Sequence, residues 1–447
     1  MLLVDDGKAI RDPVWGYIHT PPPVLSLIDT AEFQRLRGIT QLGHVHLVYP
    51  GARHSRFEHS LGVYHLAKQF LHRLLRSDSG LHLTDEDVRV FIAATLLHDI
   101  GHYPFSHTLE ELRPFFVSHE TRAREIIEHS SGAIRAVLEN EFRVDPARVA
   151  NVIDCNPAAP TPLDRDALLA GILSGTLDPD KIDYLLRDAM FCGVPFGESV
   201  NRDRLIASIT FDAENQRLAI SSKGVSAVEA LVFTNYLMYR NVYWHHAVRA
   251  ATAMLKRAVQ DILLHPECRL QPSRFHGLTE GELLMLLQQE QQRLDLHGSS
   301  CLLAGTMQRR LHKVGAVIHP EERSETLMRL LSELYTDPRR RRTLEIELCR
   351  MVGRRLGRKL HGHEILIDIP AFSKSPEVDL RVFYGTDIPE HRSNPLSLDD
   401  PAVSHLRDSL LLNFEDQAKV FRIYCIDDAD IRSTVRAHAK QYLIAGA

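Results

Sequence analysis

The chain has 447 residues, a formal net charge of −5, 44% hydrophobic and 25% charged residues. That supplies apolar material for one large domain and a smaller one, and the charge balance excludes a general attraction to nucleic acid. No apolar run reaches membrane-spanning length and the acidic start MLLVDDGKAIRDP does not read as a signal peptide. The six cysteines (155, 192, 268, 301, 349, 425) form no CxxC pair, so a cytoplasmic protein with reduced thiols is expected.

In chain order, IDTAEFQRLRGI (28–39) opens an amphipathic helix, with Asp29 and Thr30 able to cap and Phe33, Leu36 and Ile39 able to bury. After Arg56-Phe57-Glu58, His59 falls in register with Val63, Leu66 and Phe70 on one helical stripe. Thr84 and Asp87 cap the next helix, Val88, Phe91, Ile92 and Thr95 form its stripe, His98-Asp99 closes it and Gly101 stops it. In DKIDYLLRD (180–188), residues Asp180, Tyr184 and Asp188 share a face that suits a pocket wall, and for Asp183 and Arg187 a solvated face is a fair alternative. A short strand is expected at 217–221, and one long helix from Glu229 to Leu264 with Phe233, Tyr236, Tyr239, Tyr243 and Trp244 on its first half. Residues 266–340 read as polar surface helices. From 341 a helix leads into strands at 364–370, 378–384 and 419–426, with an Asp-, Pro- and Ser-rich loop before the last and a closing amphipathic helix. The expectation is a mainly α fold: a helical catalytic core (1–265), a helical extension (266–340) and a small α+β C-terminal unit (341–447).

His59, His98, Asp99 and Asp180 carry the chemistry. Two imidazoles and two carboxylates suit a first-row transition ion or a mixed metal pair, and such ions generate a nucleophile from water near neutral pH. An aspartate at the end of an apolar run is costly without a cation or donor. Together they point to metal-assisted hydrolysis of a phosphate ester.

The strings HSRFEHSLGV (54–63), LLHDIGHYPFSH (96–107) and DPDKIDYLLRD (178–188) resemble the HD-domain deoxynucleoside triphosphate triphosphohydrolases, in particular the branch with the sterile-alpha-motif/HD-domain dNTPases of animals and their bacterial relatives. The resemblance takes in Asp12-Pro13, residues 28–43 and 49–59, and MYRNVYWHHAVRA (238–250), about the first 260 residues in all. It implies an HD-domain core with His59, His98, Asp99 and Asp180 as ligands of a divalent metal (Mn, Mg, Fe or a mixed pair). Arg56, Lys181 and Arg240 would hold the triphosphate, and Gln41, Tyr184 and Asp188 the deoxyribose. His102, His107 and His119 would line the phosphates, His107 as general acid. Glu110 stands where the family carries aspartate, one methylene shorter. The implied reaction turns a dNTP into deoxynucleoside and inorganic triphosphate. Lys8, Asp29, Gln34 and Arg37 match positions that read a guanine nucleotide between subunits, which implies a GTP or dNTP effector and a homotetramer or dimer. Lys223 matches a regulatory lysine without its neighbours.

Two other functions stay open on the residues: a nuclease or phosphodiesterase acting on single-stranded nucleic acid with the same metal centre, and a non-catalytic nucleotide sensor. The basic run from Arg339 to Lys359, with Arg350, Arg354 and Arg358 four residues apart, reads as a solvated face, a regulatory nucleotide site or a strand grip. Base preference is not legible.

Overall fold

A computed structural model describes residues 3, 7–76, 81–154, 165–319, 322–369, 380–384, 396–398, 400, 403–404 and 420–445. Cys155 and most of the Asp-, Pro- and Ser-rich loop lie outside them, as do the outermost residues of the three strands expected after 341. The fold is mainly α. Its central helix, Arg56–Arg76, starts where Glu58 accepts from the Ser55 backbone N–H (2.7 Å), and it buries Val63, Leu66 and Phe70 with His59 as expected. The neighbouring helix, Asp85–Leu97, begins with the expected Thr84/Asp87 capping box. It ends at Leu97, three residues short of the sequence expectation, so His98 and Asp99 stand on the turn that follows. Gly101 marks a close approach as well as a stop: a Cβ there would lie 2.0 Å from the His119 carbonyl.

Helix Pro179–Cys192 is capped by Asp178, which accepts from Lys181 N (2.6 Å), and stops at left-handed Gly193 (φ +67°). The long helix expected from Glu229 to Leu264 is interrupted. An α-helix covers Val225–Met238, a π-helical turn covers Tyr239–Tyr243, and a second α-helix runs from His246 to Leu263. Wide turns of this kind recur at functional sites because the extra residue re-aims the side chains around it.

Among the described residues six strand pairings, in three sheets, organise the rest. The hairpin β1 (Lys8–Asp12) and β2 (Gly16–Thr20) packs against the central helix. β3 (Ile209–Asp212) and β4 (Arg217–Ser221) form an antiparallel pair, and the strand within 378–384, β7 (Arg381–Phe383), joins β4 in parallel, with β8 (Leu396–Ser397) outside it. In the segment read as surface helices, helices Glu280–Arg293, His297–Met307 and Glu325–Thr336 are joined by an unforeseen strand, β5 (Lys313–Ile318). It pairs with β9 (Phe421–Cys425), which also pairs with β6 (Ile365–Asp368). The boundary expected at 341 therefore falls between β5 and its partners, while β7 returns to the N-terminal part. Leu366 of β6 and Tyr424 of β9 share a hydrophobic core with helix His246–Leu263 and with Tyr103, Phe105 and Leu109 beside the site described next.

Candidate active site

The central helix, the turn after Leu97 and the first turn of the Pro179 helix bring His59, His98 and Asp180 together, their ligand atoms within 4.8 Å of one another. His59 Nδ1 lies 2.8 Å from Asp183 Oδ2 and His98 Nδ1 lies 2.9 Å from the Thr95 carbonyl. Both partners are acceptors, so each Nδ1 donates and each neutral ring turns an Nε2 lone pair toward the other. Those Nε2 atoms are 3.3 Å apart, and Asp180 Oδ1 is 3.0 Å from that of His59 and 3.7 Å from that of His98. Lone pairs so gathered require a cation between them. The spacing suits one, because metal–ligand bonds of about 2.1 Å place neighbouring ligand atoms roughly 3.0–3.4 Å apart. Without an ion a proton takes that place: burial opposes it, but hydrogen bonds to Asp180 and Asp183 and the nearby Asp99 raise the His59 pKa to about 10. The donor set fits a divalent metal.

Asp99 approaches both imidazoles, Oδ2 at 3.6 Å from His59 and Oδ1 at 3.5 Å from His98, and is also engaged elsewhere. Arg56 Nη1 donates to Oδ2 (2.6 Å), and His102 Nε2 lies 3.1 Å from Oδ1. Arg56 Nε is spent on Ser106 Oγ (2.9 Å). Burial resists ionisation of Asp99, but Arg56 and the histidines hold it well below the usual carboxylate range. This is the cation that the sequence argument required for an aspartate at the end of an apolar run.

A second cluster joins the first through His102. Its ring stacks on His119 (centroids 3.8 Å, 15° between planes), and His107 stands edge-on to both. Glu110 bonds to two of them, Oε1 at 3.2 Å from His119 Nδ1 and Oε2 at 3.2 Å from His107 Nδ1, and its Oε1 approaches His102 Nδ1 to 3.4 Å without a hydrogen bond. The longer glutamate thus reaches the histidines. Burial, reinforced by Arg56 and His119, lowers His102 to about 3 and keeps it neutral. His119 is raised: burial opposes, but Glu110 prevails.

Beside these clusters opens a cleft of about 300 Å³, lined among others by Gln41, His44, Arg56, His107, Tyr184, Asp188, Tyr239, Tyr243, Trp244 and Arg249. Asp188 is held by His54 Nε2 (2.7 Å from Oδ1) and by the Tyr243 hydroxyl, which donates to Oδ2 (2.6 Å). Four buried polar atoms of the lining residues have no hydrogen-bond partner among the described residues: Gln41 Oε1, both ring nitrogens of His44, and Trp244 Nε1.

Other sequence candidates lie elsewhere. Lys181 Nζ donates to the Gly175 carbonyl (2.7 Å) and to Asp178 (2.5 Å). Arg240 is exposed and donates to the Tyr236 hydroxyl (2.8 Å). Neither lines the cleft. Lys8, Asp29, Arg37 and Lys223 are at the surface, and Gln34 Oε1 accepts from Arg37 Nε (2.8 Å) while the Arg37 guanidinium covers the Phe57 ring at 3.5 Å. In the basic helix, Pro338–Leu356, Arg341 is buried, Arg340 and Arg342 are paired with Glu333 and Asp261, and Arg350, Arg354 and Arg355 are exposed. Arg358, just beyond it, pairs with Asp428.

Sequence reasoning did not single out His44 or Arg249, left Trp244 among aromatics that read more readily as helix core, and left a solvated face open for two residues. Asp183 and Arg187, for which a solvated face was the open alternative, are both 0% exposed. Arg187 donates to both oxygens of Asp183 (2.8 and 2.9 Å) and to Asp12 (2.8 Å), so Asp12, Arg187 and Asp183 back His59 from behind. A signal was available in Gly62, one turn from His59, where a Cβ would meet Asp183 Oδ1 at 1.8 Å.

Comparison with known proteins agrees with this geometry. The HD domain matches residues 56–170 and the HD associated region residues 200–394. An uncharacterised protein of Methanocaldococcus jannaschii is 37% identical over 254 residues (56% of this chain, 49% of that one), and one of Bacillus subtilis is 34% identical over 290 (63% of each). The human deoxynucleoside triphosphate triphosphohydrolase SAMHD1 is 31% identical over 279 residues, 57% of this chain and 44% of that protein. The chain thus spans between about half and 63% of the length of the first two relatives. A hypothetical protein of known structure from Aquifex aeolicus superposes with a TM-score of 0.67 at 26% identity, covering 96% of this chain and all of that one. A phosphohydrolase from Bacteroides thetaiotaomicron does so at 0.68 and 24% identity, over 95% of this chain and all of that one, a likeness of fold. No helix among the described residues is long and apolar enough to cross a membrane. With both regions matched in order, the chain carries an HD domain followed by an HD associated region, and His59 and His98 of the metal-competent His/Asp cluster lie within the HD match.

Proposed function

We propose that this protein hydrolyses deoxynucleoside triphosphates at the α-phosphate, releasing deoxynucleoside and inorganic triphosphate. The observation that carries the reading is the convergence of the His59 and His98 Nε2 atoms on Asp180, next to a cleft that Arg56 and His107 border. The substrate class is supported by relatives named deoxynucleoside triphosphate triphosphohydrolases from five vertebrates.

A divalent ion (Mn, Mg or Fe, or a mixed pair) held by His59, His98, Asp180 and Asp99 supplies Lewis acidity and a nucleophile at neutral pH. The protein's own residues do the remainder. Arg56, fixed by Asp99 and Ser106, presents positive charge at the mouth of the cleft. His107, exposed and backed by Glu110, is the general acid for the departing 5′-oxygen, with the His102–His119 stack beside it. Tyr184 walls the sugar side, and Asp188, held by His54 and Tyr243, stands where a 3′-hydroxyl donates. Lys181 and Arg240 reach the triphosphate only by leaving their present partners. Lys8, Asp29, Gln34 and Arg37 are the surface set for an activating GTP or dNTP in a homo-oligomer.

Anion-exchange product analysis tests this: each dNTP alone, then all four with GTP, in Mg or Mn, beside His98→Ala/Asp99→Ala. Deoxynucleoside and triphosphate absent from the variant are expected, with stimulation by GTP. Cleavage of single-stranded oligonucleotides without dNTP turnover would assign a phosphodiesterase, and binding without turnover a sensor.

A further inference from the structure

Glu111, the neighbour of Glu110, takes no part in the histidine cluster. Its carboxylate accepts from Arg249 (Nη1 to Oε1 3.1 Å, Nη2 to Oε2 3.3 Å) and from Lys256 Nζ. Arg249 also donates to Asp368 on β6, through Nε (2.9 Å) and Nη2 (2.6 Å), and Lys256 Nζ lies 3.5 Å from the same carboxylate. Arg249, Lys256 and Asp368 are buried. The four charges cancel, two of each sign. The guanidinium of Arg249 covers the Trp244 ring at 4.5 Å.

Glu111, Trp244 and Arg249 line the cleft, whereas Lys256 and Asp368 do not. A buried quartet of this kind contributes little stability over apolar packing of the same volume. What it does is fix geometry. A guanidinium gripped along two edges by two carboxylates has one allowed orientation, and here its face is the support of the Trp244 indole. We propose that Asp368 is a positioning residue for the cleft: the C-terminal sheet, through Arg249, sets where Trp244 and Glu111 stand. The sheet is then a working part of the site rather than an appendage to it. The inference concerns the cleft wall and is independent of which phosphate ester the protein hydrolyses.

The test uses the full chain labelled with 5-fluorotryptophan. Two tryptophans give two ¹⁹F resonances, assigned with Trp244→Phe, and Trp15 serves as the internal reference. Asp368→Asn leaves one buried positive charge unbalanced, and Asp368→Asn/Lys256→Met restores neutrality. The double variant is expected to melt close to the wild type while its Trp244 resonance shifts or broadens and that of Trp15 stays in place. If the single variant does not fold, the double variant carries the test alone. For the substrate that the wild type turns over, KM rises about tenfold with kcat changed less than about threefold, because the wall binds rather than reacts. An unmoved Trp244 resonance, equal movement of both tryptophans, or an unchanged KM beside a moved resonance overturns the proposal. The resonances need no substrate, so a wild type that turns over no dNTP refutes the proposed reaction and leaves this test standing.

Discussion

Replacing Asp183 by asparagine keeps the shape of the side chain and removes its charge, and the consequence can be worked out atom by atom. Asp183 Oδ2 accepts from His59 Nδ1 (2.8 Å) and Arg187 Nε (2.8 Å), and Oδ1 accepts from Arg187 Nη2 (2.9 Å) and Trp15 Nε1. Either orientation of an asparagine amide sets an NH₂ against two donors. Arg187, 0% exposed, keeps one hydrogen bond to the amide oxygen but is left with Asp12 as its charged partner. Breaking one partner out of such a buried pair costs about 3 kcal/mol. His59 loses the carboxylate that fixes its tautomer, and loss of such an orienting carboxylate weakens metal binding roughly 10- to 100-fold. Calorimetric titration of Mn²⁺ into chelator-stripped wild type and Asp183→Asn measures the second effect, and thermal melts followed by circular dichroism measure the first. A folded variant whose metal dissociation constant stays within about twofold of wild type, well short of that range, refutes the claim that Asp183 orients His59.

Gly62→Ala attacks the same contact from the other side. Its Cβ would lie 1.8 Å from Asp183 Oδ1 and 2.6 Å from Arg187 Nη2, so the same metal titration should show weaker binding although no ligand is altered. Glu280, buried and accepting from Thr40 (N and Oγ1) and Phe105 N, is pushed by burial from 4.5 up to about 7. Its folded pKa lies above its unfolded one, so the stability it contributes is complete below about pH 4.5 and lost as pH rises through about 7. Glu280→Gln keeps the accepting Oε1 and cannot ionise, so it should gain on the wild type by up to roughly 3 kcal/mol between those limits. Urea melts at pH 5 and pH 8 check this, and the same wild-type-to-variant difference at both would contradict it. His107→Ala should lower kcat by about a hundredfold or more while Mn²⁺ affinity is retained, since the imidazole faces Glu110 rather than the metal ligands; equal losses in both would remove it from the role of acid.

The proposed ligand residues were legible as candidates because each is tied to a local pattern. His59 sits in register on an apolar stripe, His98-Asp99 follows a capped hydrophobic run, and Asp180 opens a helix behind Asp178 and Pro179. What surrounds them was harder to read. Asp183 and Arg187 are four residues apart on a helix, the spacing of an ordinary exposed ion pair, and only the approach of the Gly62 backbone and Asp12 buries them. The π-helical turn at Tyr239–Tyr243 has no periodic signature of its own, and the aromatics that it places in the cleft read equally well as a helix core. β5 carries Val314, Ala316 and Ile318 in alternation, yet six residues between helical segments give a weak pattern until β9, about a hundred positions later, supplies the partner. Arg249 and Asp368 are 119 residues apart, and no local rule connects them.

The parallel pairing of β4 with β7 has a consequence for how the molecule is made. Every proposed metal ligand leaves the ribosome within the first 180 residues, yet β4 keeps one side open until residues 381–383 arrive, and β5 stays unpaired until residues 421–425 do. During that interval β4 and β5, joined by β6 once residues 365–368 emerge, present unsatisfied backbone amides and carbonyls beside a nearly finished helical core. Such edges invite pairing with other chains. Nascent-chain handling and the choice of truncation point are therefore governed by the last of the described strands: a chain cut before residue 380 carries all the proposed ligands and three strands, β4, β5 and β6, with open edges.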